Sequence, residues 1–259
     1  IVETSPRLLD TIDDPEYLKT DEYALCKARC EDILRAFDST NWTIVRPSII
    51  YSNRCFKFGC LEANTVCYRA LHNLPVVMPS EMLNKQTTLT WGGDAAKMIA
   101  RLVLNKKAYG ESFNIATAEH HTWREVAEIY SNHLGMRLME ISLTDYCHIC
   151  NEKQVMYDRM FMRIMDNSKI LNITGLSQAD FKTLDKGLGG EMDANRNELS
   201  KIQMNIKQNA CIDALCGIVS LPHGSVGTKI YYLKVRFPFL GFLISSAIRS
   251  INAIRSLIK

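Results

Sequence analysis

Two side chains near the start of the sequence, Tyr23 and Lys27, could together carry out proton transfer. The surrounding residues predict a helix over residues 21–38, and residues four apart project from the same face of a helix. A free phenol has a pKa of about 10 and is a poor base at neutral pH, but a nearby cation favours the phenolate. The pair could therefore exchange a proton with a substrate hydroxyl during hydride transfer. The same spacing is also that of a solvated Tyr–Lys surface pair.

The segments around this helix position the pair. Residues 1–20 carry several acids and prolines without apolar periodicity, so we expect a loop there. Residues 42–51 form a β-branched run that predicts a strand. Because this run is apolar on both faces as far as Val45, it is typical of an interior strand of a parallel sheet.

Five motifs occur in an order that resembles the extended short-chain dehydrogenase/reductase family, the NAD-dependent epimerases and dehydratases that act mostly on nucleotide sugars. The first is the Tyr/Lys helix followed by a strand that ends R-P-x-x-x-Y. The others are an E-x-x-P turn at 3–6, a V-x-D-x-A-like element at 91–96, a G-x-x-(Y/F)-N-(I/V) strand at 110–115 and the helix start at 122–127. The resemblance covers roughly residues 1–215.

The resemblance implies a role for four residues. Tyr23 would be the acid/base, and Lys27 would lower the pKa of Tyr23 and bind the nicotinamide ribose. Pro47 and Ser48, just after the strand, would approach the nicotinamide of NAD or NADP. The implied substrate is a nucleotide sugar or a related hydroxylated compound, and a homodimer through the Tyr/Lys helix is left open.

The sequence departs from the family in several places. It contains no G-x-x-G-x-x-G turn for the dinucleotide pyrophosphate. We therefore expect the C-terminal part of such an enzyme, truncated and inactive by itself. Ile49 stands where nucleotide-sugar enzymes have Asn, Ser52 where they have Gly, and Thr87 and Thr88 where an Arg often occurs. These departures leave two alternatives open: a reductase of a non-sugar substrate, and a non-catalytic remnant that binds a membrane or a partner.

The predicted fold class is α/β, with the C-terminal part of a Rossmann-like parallel sheet, a smaller mixed α/β substrate domain and an added C-terminal helical tail. Residues 1–51 would belong to the Rossmann-like domain, 52–216 to a substrate-side region interleaved with the last Rossmann elements, and 217–259 to a basic amphipathic tail. Further helices are predicted near 61–72 and over 94–104, 122–134, 150–170, 180–188 and 191–216. Strands are predicted at 113–116 and 139–143, with an extended stretch at 74–78. Within 150–170, an apolar stripe predicts core packing; it consists of Met156, Met160, Phe161, Ile164 and Met165.

Composition limits the remaining functions. A net charge of +3 does not suggest nucleic-acid binding, and the acidic N-terminal stretch is not a secretory signal. Nine scattered cysteines favour a reduced, cytoplasmic protein. The C-x-x-C at Cys147 and Cys150 lacks a second close pair, so no metal site is predicted. No acidic residue follows Asp213, and apolar residues recur at helical spacing within 239–259. That pattern fits a helix on an anionic membrane, on the protein's own apolar surface or on a second subunit.

Overall fold

Pairs of parallel strands form the frame of the protein in the computed structural model, which describes residues 1–53 and 55–239. The parallel pairs are β1 (Thr43–Pro47) with β8 (Glu111–Ile115), β2 (Ile49–Tyr51) with β7 (Leu89–Trp91), and β5 (Pro75–Pro79) with β10 (Arg137–Ile141). The antiparallel pairs are β3 (Lys57–Phe58) with β4 (Leu61–Glu62), and β6 (Gln86–Thr87) with β9 (His121–Thr122).

Helices connect and cover these strands. They are α1 (Leu8–Thr11), α2 (Pro15–Leu18), α3 (Tyr23–Arg35), α4 (Val66–Leu71), α5 (Ser80–Leu83), α6 (Gly92–Leu102), α7 (Trp123–Leu134), α8 (Leu143–Ile149), α9 (Glu152–Gln154), α10 (Ser168–Thr174), α11 (Gly190–Ala194), α12 (Arg196–Leu199), α13 (Ile206–Cys216) and α14 (Val226–Arg236). Wider π-turns lie at Val155–Arg159 and Asp185–Gly189, and 3₁₀ turns lie at Lys106–Ala108 and Gln178–Asp180. The predicted α/β fold with parallel strands is confirmed.

The buried apolar side chains fall into two clusters. The smaller cluster joins α6, β8 and α10 and includes Met98, Phe113 and Ile170. The larger cluster lies on the substrate side and includes Trp123 and Tyr130, whose helix α7 packs beside the β3–β4 hairpin. The larger cluster includes Ile49 and Tyr51 beside residues from the predicted substrate-side region, so the clusters do not follow the predicted boundary at residue 51, and the division into domains stays a prediction.

The two helices with the strongest local signals form as predicted. In α3, the Glu22 carboxylate accepts a hydrogen bond from the backbone N–H of Ala24 at 2.8 Å and caps the helix start. In α7, Thr122 and Glu125 form a capping box at the predicted helix start, and Gly135 ends the helix with a φ of +72°. These signals act within one helical turn, so they need no tertiary contact.

The predicted strand over 42–51 is wrong in two respects. It is divided at Ser48 into β1 and β2, which pair with β8 and β7 respectively. The backbone N–H of Ser48 donates to the carbonyl of Ile115 at 3.1 Å, so the chain changes partner at that residue. Val45 is 38% exposed, so β1 is not covered on both faces among the described residues.

The predicted loop over residues 1–20 contains α1 and α2. The Asp14 carboxylate accepts from the backbone N–H of Tyr17 at 2.9 Å, and Pro15 occupies the first position of α2. Asp followed by Pro is a helix-start signal. The acids and the proline therefore mark a helix start here, where we predicted only a loop.

The predicted helix over 150–170 is also wrong, as is its buried stripe. Residues 152–159 form one short helix with a π-turn, and helical structure resumes only in α10. Three members of the stripe are largely exposed: Met156 at 39%, Phe161 at 53% and Ile164 at 38%. Met165 is buried, and Met160 packs against the larger core. The helical spacing of these residues was coincidental, because residues 160–167 are not helical.

The later predictions are only partly correct. Residues 178–189 form a 3₁₀ turn and a π-turn, where a helix was predicted over 180–188, and α11, α12 and α13 replace the single helix predicted over 191–216. The tail begins with α14, and the amphipathic helix predicted within 239–259 lies, apart from Phe239, outside the described residues. In the part of the chain that is described, no helix has the length and apolarity needed to cross a membrane.

Candidate active site

Tyr23 and Lys27 lie together at the start of α3. The Tyr23 side chain is 73% exposed, and the Lys27 Nζ atom lies 5.4 Å from the centroid of its ring. That distance is within the range of a cation–π contact. The predicted pairing on one helix face is therefore present in the structure, with the ammonium over the ring rather than beside the phenol oxygen.

Three of the four predicted site residues line one cavity of about 650 Å³. Tyr23 borders it from α3, whereas Pro47 and Ser48 border it from the end of β1. Lys27 does not line the cavity and reaches it only through the Tyr23 ring. The cavity thus lies at the carboxyl end of a parallel strand, the position where open α/β sheets bind their ligands.

A hydrogen bond to the neighbouring strand β7 fixes the side chain of Ser48. Its hydroxyl donates to the Thr90 hydroxyl at 2.7 Å, and Thr90 in turn accepts from the backbone N–H of Thr117 at 3.1 Å. All three residues are buried. Ser48 therefore has a defined orientation at the cavity floor, and its oxygen retains acceptor capacity.

A bidentate ion pair holds α3 against β1. Both oxygens of Glu31 accept from Arg46, at 2.8 and 2.6 Å, and Arg46 also donates to the carbonyl of Glu3 at 2.7 Å. The Glu3 carboxylate accepts from the backbone N–H of Asn114 at 2.8 Å. The E-x-x-P turn, the Tyr/Lys helix and two strands are thereby joined, and this sets where Tyr23 lies relative to Ser48.

The opposite wall of the cavity is cationic. It carries Lys57, Lys153, Arg159 and Arg163. Arg159 and Arg163 share the single carboxylate of Asp158, whereas Lys57 pairs with Glu62 and Lys153 with Asp14. The four cations of this wall therefore exceed their carboxylate partners by one. Burial lowers the pKa of Arg163, and the charge of Asp158 opposes that shift. A wall of this kind suits an anionic ligand such as a phosphate.

Sequence analysis did not identify this wall. A signal was present, since Lys153, Arg159 and Arg163 fall within a stretch of eleven residues. We predicted a core helix over residues 150–170, and for that reason we did not predict that these three side chains line a cavity. Their approach to Tyr23 depends on tertiary contacts.

A cluster that we call the aromatic clasp joins the two sides of the cavity. It consists of Asp14 and Tyr17 on one side and Lys153 and Tyr157 on the other. The Tyr157 hydroxyl and Lys153 Nζ donate to the Asp14 carboxylate at 2.7 and 3.1 Å, and the rings of Tyr17 and Tyr157 lie 4.5 Å apart. These hydrogen bonds, that from Tyr157 foremost, lower the pKa of Asp14 to about 2. The clasp connects segments about 140 residues apart in sequence and holds the cationic wall opposite α3.

The positions that depart from the family pattern have structural roles. Ile49 is 7% exposed, and it contributes to the larger core. Thr88 is buried, and its hydroxyl donates to the carbonyl of Arg163 at 2.9 Å. Thr88 therefore ties the cationic segment to the sheet, where the resemblance implied an arginine in contact with the nucleotide.

The described residues form no metal-binding cluster. Within residues 1–53 and 55–239, no group of three or more His, Cys, Asp or Glu side chains is arranged to hold a metal ion. The 259 residues contain no G-x-x-G-x-x-G turn.

Comparison with known proteins found no matching family model and no matching curated protein. Solved structures do match. MoeE5 in complex with UDP-glucuronic acid and NAD is 15% identical with a TM-score of 0.54, covering 76% of this chain and 60% of that chain. UDP-glucose 4-epimerase of Thermotoga maritima with UDP-glucose is 17% identical with a TM-score of 0.50, covering 68% and 53%.

A third similar structure is UDP-glucuronic acid 4-epimerase of Bacillus cereus with UDP-glucuronic acid and NAD, 15% identical with a TM-score of 0.50 and covering 67% of this chain and 51% of that chain. The chain thus spans about half to three fifths of the length of these structures. At this level of identity the likeness establishes the fold. The protein has the Rossmann-like α/β fold that these structures share.

Proposed function

We propose that the chain contributes the acid/base tyrosine and the substrate-side pocket of an NAD(P)-dependent epimerase or dehydratase that acts on a nucleotide sugar. The observation that carries the proposal is the cavity itself. Tyr23, Pro47 and Ser48 line one side, and a cationic wall lies opposite. A nucleotide sugar combines a hydroxylated ring with a diphosphate, and those are the two chemistries that these sides would recognise.

In the proposed reaction, the Tyr23 hydroxyl exchanges a proton with a hydroxyl of the sugar. Lys27, over the Tyr23 ring, would place a positive charge near the reacting hydroxyl during that exchange. Ser48 would orient the reacting group through its free acceptor capacity. When bound, NAD or NADP would take a hydride from the sugar and return it. Two of the similar structures contain NAD, which supports this choice of cofactor.

The cationic wall would hold the diphosphate. Arg159 is 5% exposed and already donates to the carbonyl of Gly59 at 3.0 Å, so its position is defined before the ligand arrives. Lys57 and Lys153 stand at the same cavity and are more accessible. A substrate whose diphosphate is bound there would place its sugar next to Tyr23. Binding of the diphosphate would thus hold the reacting hydroxyl in the orientation that proton transfer requires.

The test is a single conservative change in the full-length polypeptide. Tyr23→Phe removes only the reactive hydroxyl, so we expect kcat to fall by about 10²–10⁴-fold, the usual contribution of a positioned acid or base. NAD(H) and NADP(H) binding, measured by titration calorimetry, should stay within about twofold, because the ring and Lys27 remain. Turnover of UDP-glucose and UDP-glucuronic acid would be followed by separating the sugar products.

The matched control is Tyr231→Phe, which removes a hydroxyl from a 47% exposed tyrosine on α14, away from the cavity. It should leave kcat unchanged. Wild-type kcat in Tyr23→Phe would remove Tyr23 from its assigned role. The same assay tests the favoured alternative, because an epimerase interconverts UDP-sugars with no net NADH, whereas neither a reductase of a non-sugar substrate nor a non-catalytic remnant converts them.

A further inference from the structure

The helix α14 is attached to the rest of the protein by one side. Tyr232 is buried there, and its hydroxyl donates to the Asp213 carboxylate of α13 and accepts from the backbone N–H of Ser220 at 2.9 Å. The Nε atom of Arg236 donates to the carbonyl of Ile218 at 2.9 Å. Because these contacts fix how the helix is rotated about its axis, another face of α14 is turned towards solvent.

That solvent-facing side carries an apolar stripe. Val226, the first residue of the helix, is 73% exposed, and three partly exposed apolar residues follow it at spacings of four, three and four residues. Residues with this spacing lie in line on one face of a helix. We call this surface the α14 face, and its stripe consists of Val226, Ile230, Leu233 and Phe237.

The apolar surface continues beyond the helix. Val219 and Leu221, in the turn that leads into α14, are exposed, and so is Phe239, which follows the helix. A patch of exposed apolar side chains of this kind marks an interaction surface.

Cations border the stripe on both sides. Successive residues of a helix are rotated by about 100°, so Lys229 and Lys234 lie on opposite sides of the stripe. No acidic residue follows Asp213, whereas six of the 31 lysine and arginine residues do. This segment therefore has a net charge of +6 in a chain whose net charge is +3, and the residues before it are net negative.

We propose that the α14 face docks the protein onto an anionic lipid bilayer, with the helix lying in the plane of the interface. The stripe would enter the boundary between the headgroups and the acyl chains, and Lys229 and Lys234 would contact the charged headgroups beside it. With 11 residues, α14 has about half the length needed to span a bilayer, so it would lie on the surface.

Charge complementarity favours a lipid surface over a second copy of this chain. Two copies that met through the α14 face would bring Lys229 and Lys234 of one against the same lysines of the other, and the segment has no acidic residue to offset them. An anionic bilayer supplies many negative charges. Residues 240–259 lie outside the described residues, and their sequence adds only cations, namely Arg249, Arg255 and Lys259.

The α14 face is separate from the candidate active site. The residues that line the Tyr23 cavity come from other elements. Lipid binding can therefore be measured whatever reaction the cavity supports, and a failure of one proposal leaves the other standing.

The test is co-sedimentation of the full-length protein with vesicles of phosphatidylcholine, with or without phosphatidylserine at about a third of the lipid. We expect binding to be at least about tenfold tighter with phosphatidylserine, and to weaken as salt screens the charges. Replacing both lysines, Lys229→Gln with Lys234→Gln, should lower the partition coefficient by about tenfold or more, since each contributes about fivefold near an anionic surface.

Two further variants separate charge from apolar contact. Val226→Ser should weaken binding by about three- to tenfold at low and high salt alike, because salt does not screen the burial of an apolar side chain. The matched control is Lys106→Gln with Lys107→Gln, which removes two exposed lysines from the 3₁₀ turn at Lys106–Ala108. It should bind as the wild-type protein does.

Three results would overturn the proposal. One is equal partitioning onto neutral and anionic vesicles, or binding to neither. Another is wild-type binding by the Lys229→Gln/Lys234→Gln variant, which would assign the lipid affinity to residues outside the α14 face. The third is a dimer in sedimentation equilibrium that the same variant alters, without vesicle binding, which would assign the face to a second copy.

Discussion

A fully buried ion pair holds the C-terminal helices on the substrate-side core. Arg69 in α4 and Asp213 in α13 are 2.8 Å apart, and both side chains have 0% exposure. The other Asp213 oxygen accepts from the backbone N–H of Ser220 at 2.9 Å and from the hydroxyl of Tyr232 in α14. Asp213 therefore connects three helices, and we predict that Asp213→Asn destabilises the protein.

The size of the destabilisation by Asp213→Asn depends on the contacts that Arg69 keeps. Removing one partner of a buried pair costs about 3–5 kcal/mol, because the other charge stays buried without compensation. Arg69 would keep its hydrogen bonds to the side chain of Asn209 at 3.0 Å and to the carbonyl of Pro75 at 2.6 Å. We therefore expect the lower end, about 3 kcal/mol. For a chain of this size that corresponds to a fall in Tm of about 6–12 °C.

The assay is urea unfolding followed by far-UV circular dichroism, with a thermal scan beside it. Asp185→Asn is the matched control, because it makes the same chemical change at a side chain that is 72% exposed. It should change the free energy of unfolding by less than about 0.5 kcal/mol. An Asp213→Asn variant as stable as this control would refute the reasoning. A double variant with Arg69→Met should recover part of the loss, since it removes the unpaired charge.

Two further predictions concern the sheet side of the cavity and its surroundings. Burial of Glu31 raises the pKa of its carboxylate, but the hydrogen bonds from Arg46 outweigh this effect and hold the pKa below its ordinary value of 4.5. The ionised pair therefore stabilises the fold above pH 4.5 and ceases to do so as the pH falls through the lowered pKa. Glu31→Gln should cost about 1.5–3 kcal/mol at pH 7 by urea unfolding, and a cost that does not shrink in acid would contradict this. Gly187→Ala should cost about 1–3 kcal/mol, because its Cβ would lie 2.0 Å from the hydroxyl of Tyr51, which is 1% exposed. Gly190→Ala, with open space around the added Cβ, is the control, and equal stability of the two alanine variants would argue against the clash.

Some of the site was predictable because its signals are local. A helix start with Tyr23 and Lys27 one turn apart places both on one face wherever the helix packs. The strand that carries Pro47 and Ser48 was also predictable from its β-branched residues, but its break at Ser48 was not. The roles of all four residues stay predictions.

Other features could not be predicted, because they depend on which segments meet. The division of residues 42–51 into β1 and β2 results from pairing with two different strands. The exposure of Phe161 reflects a backbone that leaves helical geometry after residue 159. A helical spacing of apolar residues predicts a buried face only where the backbone is helical. Residues 160–167 are not helical, so the spacing has no such meaning in that segment.

The sequence by itself predicted the α/β class, the start of α7 and the Tyr23/Lys27 pair. The helix start and the pair depend on hydrogen bonds and spacing within a few residues. The tertiary structure alone decided that Arg159 and Arg163 lie across a cavity from Tyr23. Those neighbours are about 140 residues apart in sequence. Their contact depends on the packing of whole elements around the two cores, and no local pattern records that packing.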